Sequence, residues 1–505
     1  MLLKFDKRQF VYIMEAPLSR IRTLLFLLCS VGLFSTLVVT VQSGSKQSEI
    51  YDLVILNGRV IDPESRLDDI RNIGIVASEI KTITQDKIEG KRTIDARGLV
   101  VAPGFIDLHQ HGQDDENYRV KAMDGVTTVL ELEVGTGDVA HWYREREGKA
   151  LINFGVSAGH IAARMAALKE PPAFVPSGDA AKRAATTTEI DEMKSALESG
   201  LKQGAVAVGF GLQYTPGATR WEILEMFRVA ARFGASCHVH LRYAGAKEPG
   251  SSIEALEEVL AASAITGAPL HVVHVNSSGG PLALKLLQMI DEARSKKLDV
   301  TTEAYPYTAG MTDIKSALFN EGWQEVFGID YKDLQWAATG ERLTKESFER
   351  YRQTGGMVAV FSMKEEIVSE VIKNPLTMIA SDGILENGKG HPRNAGTYSC
   401  VLGRYVREQR ALTMVDALAK MSLMPAQRLE KRVPSMKHKG RIKIGADADL
   451  TIFDPGTVID RSTYQEPAKP AAGIRFVIVN GVEVVREGAV QSGLFPGRAV
   501  RAPHQ

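Results

Sequence analysis

Beyond residue 50 the chain sets apolar and polar positions in short alternating runs separated by turn residues. Tyr51-Asp52-Leu53-Val54-Ile55-Leu56 and Arg59-Val60-Ile61-Asp62 flank Asn57-Gly58, a spacing that predicts a hairpin, and short strands continue to about Asp95. Similar runs return near the carboxyl end in Ala448-Asp449-Leu450-Thr451-Ile452-Phe453-Asp454 and Phe476-Val477-Ile478-Val479-Asn480-Gly481. The two ends are therefore expected to build one small β-sandwich-like domain. Between them, apolar strand-like runs alternate with stretches at 180–202, 220–233, 252–265 and 281–296, whose apolar residues recur every three or four positions as in amphipathic helices. That alternation predicts an α/β fold, a TIM-type (β/α)8 barrel. The candidate barrel strands end at His111, Glu133, His160, Tyr214, His240, His274, Tyr305 and Asp382. In such a barrel the carboxyl ends of the strands form the face that carries chemistry.

The chain has 505 residues, enough for one barrel with insertions and a companion domain. The expected divisions are 1–45 as a leader, 46–100 as the first part of the small β-domain, 101–435 as the barrel, and 436–505 as the second part and tail. Lys+Arg and Asp+Glu both number 61, so no long-range field recruits nucleic acid or an acidic membrane surface. The first segment differs: Arg20 and Arg22 precede an apolar run over 23–41, and the chain turns polar at Gln42-Ser43-Gly44. It reads as a signal peptide that exports the chain to the periplasm or the medium, or as a membrane anchor if left uncleaved. Any membrane contact is expected through this segment alone. Past it only Cys237 and Cys400 remain, too few for a disulfide framework, and they read as free thiols.

Chemistry gathers at the strand ends. His109 and His111 are two apart on a run expected to extend from Leu99-Val100-Val101, which would turn both imidazoles to one face. His240 and His274 close two further runs, so four histidines converge from three strands, a pattern that suits a zinc site with an open position. His238 and His271 compete for the same role. His238 shares a face with His240, whereas His271, three residues before His274, is expected to point away. Glu131 and Glu133 lie on one face of Gly125-Val126-Thr127-Thr128-Val129-Leu130-Glu131-Leu132-Glu133, either as a ligand pair or as buried salt-bridge partners. Glu133, nearer the strand's carboxyl end, is the better ligand candidate. Asp382 precedes Gly383, and beside an activated water it would take up a proton and return it to a leaving nitrogen.

With these residues in place, Pro103-Gly104-Phe105-Ile106-Asp107-Leu108-His109-Gln110-His111 and Gly440-Arg441-Ile442-Lys443-Ile444-Gly445-Ala446-Asp447-Ala448-Asp449-Leu450 resemble the amidohydrolase superfamily. Tyr305-Pro306-Tyr307-Thr308-Ala309-Gly310, Ser381-Asp382-Gly383 and His391-Pro392-Arg393 narrow the resemblance to the D-aminoacylase group, the N-acyl-D-amino-acid deacylases. The resemblance implies that His109, His111, His240 and His274 hold zinc, as one or two ions, with Asp382 as general base and acid. It also implies that Arg393 grips the substrate carboxylate and that Tyr305 polarises the scissile carbonyl. Three positions depart from the group. No cysteine ligand follows the Gly-Val-Thr-Thr strand, so a glutamate is expected instead, which leaves room for another divalent metal. Asn276 stands where a lysine is usual, its role lost or passed to Arg242 or Lys315. Met311 replaces a small hydroxyl residue.

The resulting expectation is a metal-dependent hydrolase of small N-acyl amino acids, N-acyl-D-glutamate among them, or of short peptides. Other readings are a dipeptidase, a cyclic amidase of the same superfamily, and a non-catalytic binding protein on this scaffold. Cyclic amidases resemble one another in a carboxylated lysine on the fourth strand, and Val206-Ala207-Val208-Gly209-Phe210-Gly211 has no lysine.

Overall fold

The computed structural model describes residues 50–504. The expected leader over residues 1–45 lies outside them. Among the described residues no helix is long and apolar enough to cross a membrane.

Five strands open the described chain: β1 (Tyr51–Asp62), β2 (Leu67–Val76), β3 (Glu79–Thr84), β4 (Gly90–Asp95) and β5 (Val100–Pro103). Asn57-Gly58 is not a hairpin turn. Asn57 takes a left-handed φ of 61° inside one continuous strand, and the pairing with β2 slips between Ile55 and Gly58. The Asn-Gly pair thus makes a bulge, because Arg59 to Asp62 find their partner in β2 and not in Tyr51 to Leu56.

The run from Leu99 to His111 is also divided. β5 stays in the small sheet, and the barrel begins beyond Gly104 with β6 (Phe105–Asp107). A Cβ on Gly104 would lie 2.2 Å from the Thr127 hydroxyl, so only glycine allows this close crossover. The barrel continues with β7 (Val126–Thr136), β8 (Asn153–Gly159), β9 (Val208–Gly211), β10 (Cys237–His240), β11 (Leu270–Val272) and β12 (Val300–Ala304). An insertion carries β13 (Gly310–Asp313), β14 (Leu334–Trp336) and β15 (Met357–Val360) before β16 (Thr377–Ile379) completes the eight. A two-residue hairpin, β17 (Leu385–Glu386) and β18 (Lys389–Gly390), follows. The last strands are β19 (Leu450–Phe453), β20 (Ile474–Val479), β21 (Val482–Arg486) and β22 (Ala489–Val490).

The parallel barrel strands run in the order β16-β12-β11-β10-β9-β8-β7-β6, with helices between them, which is the expected (β/α)8 barrel. First and last strands meet through Asp382 N–H donating to His109 O at 2.8 Å and His111 N–H to Gly383 O at 2.9 Å. Both chain ends supply the second sheet, ordered β22-β21-β20-β19-β5-β1-β2-β3 with β4 beside β1. Its apolar residues, among them Ile55, Val60, Ile73, Val101, Leu450 and Ile478, form one buried cluster. The carboxyl-terminal tail leaves this sheet: Ala499 bridges to Phe154, and Val500 and Ala502 pack beneath the barrel.

Helices over Arg220–Arg232 and Ser252–Thr266 lie where the periodicity places them. The stretch 180–202 is instead a short turn, Asp179–Lys182, and a helix Thr187–Lys202 that begins at a Thr186/Glu189 capping box. The expected 281–296 helix starts as a 3-10 turn and is α-helical over Ala283–Ser295. Cys237 and Cys400 are free and buried.

A fully buried ion pair braces the barrel seam. Lys121 Nζ donates to Asp107 Oδ2 at 2.9 Å, and the same carboxylate accepts from the Ser381 hydroxyl at 2.5 Å and from His109 N–H at 3.1 Å. Removing only the cation strands the carboxylate, so Lys121→Met is expected to cost about 3–5 kcal/mol. Urea unfolding of the two proteins measures this as a lowered midpoint.

Candidate functional site

His109 and His111 leave β6 and turn their Nε2 atoms to within 3.2 Å of each other. Glu133, near the end of β7, brings Oε2 to 2.5 Å from His109 Nε2 and 3.4 Å from His111 Nε2. Asp382 Oδ1 lies 3.2 Å from His111 Nε2 and 3.5 Å from His109 Nε2. Zinc ligands at about 2.0–2.2 Å stand roughly 3.3 Å apart at tetrahedral corners, so these four side chains fit a metal ion. A second group overlaps the first: Glu133, His240 and His274 have ligand atoms within 4.8 Å of one another, with Glu133 Oε1 2.7 Å from His240 Nδ1. Glu133 thus turns one oxygen to each group. The donor set suits one ion or two.

Asp382 and His274 reach this centre through strained backbone. Asp382 has φ 52° and His274 φ 30°, both left-handed and costly for residues with a Cβ. His274 therefore leaves extended geometry, and the alternation argument that turned His271 away does not hold. His271 points inward, one layer below, with its Nε2 3.0 Å from Glu303 Oε2 and its Nδ1 2.7 Å from the Thr301 hydroxyl. His238 lies against it with ring centroids 4.5 Å apart. Neither joins the groups able to hold a metal.

The rings are oriented from behind. His109 Nδ1–H donates to Glu303 at 2.7 Å, and His111 Nδ1–H to Glu131 at 2.6 Å. Glu131 is itself held by Val134 N–H at 3.0 Å. Of the two glutamates weighed on β7, Glu133 enters the centre and Glu131 stands behind His111. His240 Nε2 lies 2.8 Å from Gln213 Oε1.

Charge concentrates here. Burial works against a His109 cation, yet Asp382 and Glu133 outweigh it and push the imidazole up to about 10. His111 is raised too, against burial, first by Glu131. Burial would lift Glu133, but His109 and His240 hold it well below the usual carboxylate range. Asp382 is also held low against burial, first by Arg393. Burial and then His240 bring His274 down to about 3. The buried carboxylates thus require positive charge, from protons on imidazole or from a divalent cation that leaves the rings neutral.

Arg393 begins a helix, Arg393–Cys400, with Nη2 2.9 Å from Asp382 Oδ1. Its Nε and Nη1 are buried without a protein partner, as is the Tyr305 hydroxyl, and the guanidinium stacks 4.6 Å from the Tyr305 ring centroid. Burial pushes Tyr305 up to about 12, so it stays a donor. His391 fixes Arg393 by accepting its backbone N–H at 3.0 Å. A cavity of about 50 Å³ reaches Tyr305, His240, His274 and Asp382, with Met311 on its wall. Asn276 itself donates its side-chain amide to Tyr305 O at 3.1 Å, and Arg242, one of the two substitutes for the usual lysine, is held by both oxygens of Glu258 at 2.8 and 2.7 Å. Lys315 lines neither this cavity nor the wider one beside it.

A β/α barrel that gathers imidazoles and carboxylates at the carboxyl ends of its strands has the build of a metal-dependent hydrolase. Comparison with known proteins makes this specific. The chain belongs to the amidohydrolase family, whose profile matches residues 92–166 and 162–485. It is 31% identical to an N-acyl-D-glutamate deacylase of Alcaligenes xylosoxydans xylosoxydans, over 90% of this chain and 97% of that one. A D-aminoacylase of the same organism is 30% identical over 90% and 99%. Among solved structures, the N-acyl-D-glutamate deacylase of Bordetella bronchiseptica, complexed with zinc and a phosphonate mimic of the tetrahedral intermediate, superposes with a TM-score of 0.76. It is 29% identical over 90% of this chain and 100% of that one.

Glu303, a lone carboxylate on the short strand β12 two residues before Tyr305, is not singled out by the sequence pattern. Because it fixes a ring at the centre, Glu303→Gln is expected to weaken metal binding about 10- to 100-fold. Titration of the metal-stripped protein against a chelating indicator measures that loss.

Proposed function

We propose that this chain hydrolyses the amide bond of N-acyl amino acids, N-acyl-D-amino acids such as N-acyl-D-glutamate, with zinc as its metal. The observation that carries the reading is Asp382, a member of the four-residue metal-binding group that is also paired with Arg393, a cation with two buried unpartnered donors. His109, His111, Glu133, His240 and His274 would hold the metal, with Glu133 in place of the cysteine that the family resemblance implies. Zinc bound there supplies a Lewis acid and acidifies water.

Arg393 binds the carboxylate of the amino-acid half, for which a planar guanidinium offers two parallel donors. Tyr305 donates its hydroxyl to the carbonyl oxygen as negative charge develops. Asp382 takes the proton of the attacking water and delivers it to the nitrogen as the C–N bond breaks. The barrel walls keep bulk water from the carboxylates, so each electrostatic contact acts in a low dielectric. Basic residues at the amino end and the apolar run over 23–41 support export or membrane anchoring, testable by cell fractionation.

Metal analysis beside assays on N-acyl-D- and N-acyl-L-amino acids, dipeptides and cyclic amides tests the reading. Hydrolysis of the D-series with zinc present is expected, and activity confined to dipeptides or cyclic amides would sink it. Asp382→Asn is expected to abolish turnover while zinc remains bound. Arg393→Met is expected to raise KM by 10- to 100-fold, about 1.4–2.7 kcal/mol of lost carboxylate binding.

A further inference from the structure

The insertion between β12 and β16 forms a unit of its own around Ile314, Phe319, Trp323, Leu334, Phe348 and Val358. Between it and the barrel mouth lies a vestibule of about 620 Å³, far larger than the inner cavity it adjoins. Gln213, Ala244, Ser277, Leu318, Phe327 and Ser362 line both, so the two spaces share a wall.

The vestibule wall is largely apolar, with Tyr243, Pro249, Pro281, Leu318, Val326 and Phe327 facing it. Val326 is 46% exposed and leaves part of that apolar wall open to an occupant. Its one buried cation is matched: Arg242 is locked to Glu258, and Lys247 lies at the exposed rim, 3.4 Å from Glu325. A second carboxylate would find no unpaired buried cation there, whereas a hydrocarbon gains from every methylene removed from water.

The amide has two ends. Arg393 holds the carboxylate of the amino-acid end, and no residue of the Arg393–Cys400 helix lines the vestibule. We infer that the vestibule takes the acyl group, and that the preferred substrates carry a medium-length alkyl acyl chain in place of acetyl. The inference rests on the deacylase reading above. Water supplies hydroxyl to the acyl carbon and a proton to nitrogen, giving a medium-chain carboxylate and a free amino acid.

The test takes the D-amino acid turned over best as its N-acetyl derivative and compares N-acetyl, N-butanoyl, N-hexanoyl and N-octanoyl forms on the zinc-loaded chain. kcat/KM is expected to rise by up to about fourfold per added methylene. A flat or falling series overturns the acyl assignment and leaves the deacylase reading standing; no hydrolysis at any length overturns both. Val326→Asp places a charge on the wall at an exposed position where folding is not at stake. It is expected to collapse the octanoyl-to-acetyl ratio towards one, and an unmoved ratio counts against the inference. If the rate instead follows side-chain length at constant acetyl, as between N-acetyl-D-alanine and N-acetyl-D-norleucine, the vestibule holds the side chain and the inference is wrong.

Discussion

Glu133 is a carboxylate with 2% of its side chain exposed, lodged between His109 and His111 on one side and His240 on the other. A buried anion of this kind is tolerable only where positive charge is held beside it, and the barrel is arranged to hold it there. Two strands deliver imidazoles to its two oxygens, a third brings His274 within 4.8 Å, and Glu303 and Glu131 fix two of those rings from behind. Asp382 adds a second negative group at the same point, with Arg393 as its counter-charge. The geometry is therefore one of mutual compensation, in which no single side chain at the mouth would be stable in its ionised form without the others.

The seam of the barrel and the site are one piece of construction. The hydrogen bonds that join the first strand to the last run through the backbone of His109, His111 and Asp382, so closing the barrel brings base and ligands together. Asp107, through Lys121 and Ser381, ties the same backbone from below. Local strain at Asp382 and His274 is sustained by this frame.

Much of this was legible before the fold was known. Strand-end histidines, the β7 glutamates and Asp382 stood at the ends of apolar runs, and the barrel periodicity turned them towards one face. What the pattern could not carry was geometry that breaks the pattern. Alternation misjudged His271 because His274 is not extended, and it read Asn57-Gly58 as a turn because a bulge and a hairpin use the same left-handed residue. Glu303 escaped because a lone carboxylate on a short strand carries no spacing signal until its partner, 194 positions earlier, is placed beside it.

The insertion over β13 to β15 has its own apolar cluster, separate from those that pack the barrel. Its side chains shape the entrance, while the groups proposed to break the bond are carried by the barrel strands and the segments that follow them. Reaction and diet are thus inherited on different parts of the chain. Mutations can accumulate in the insertion and change which molecules are admitted, while the balanced charges beneath stay as they are.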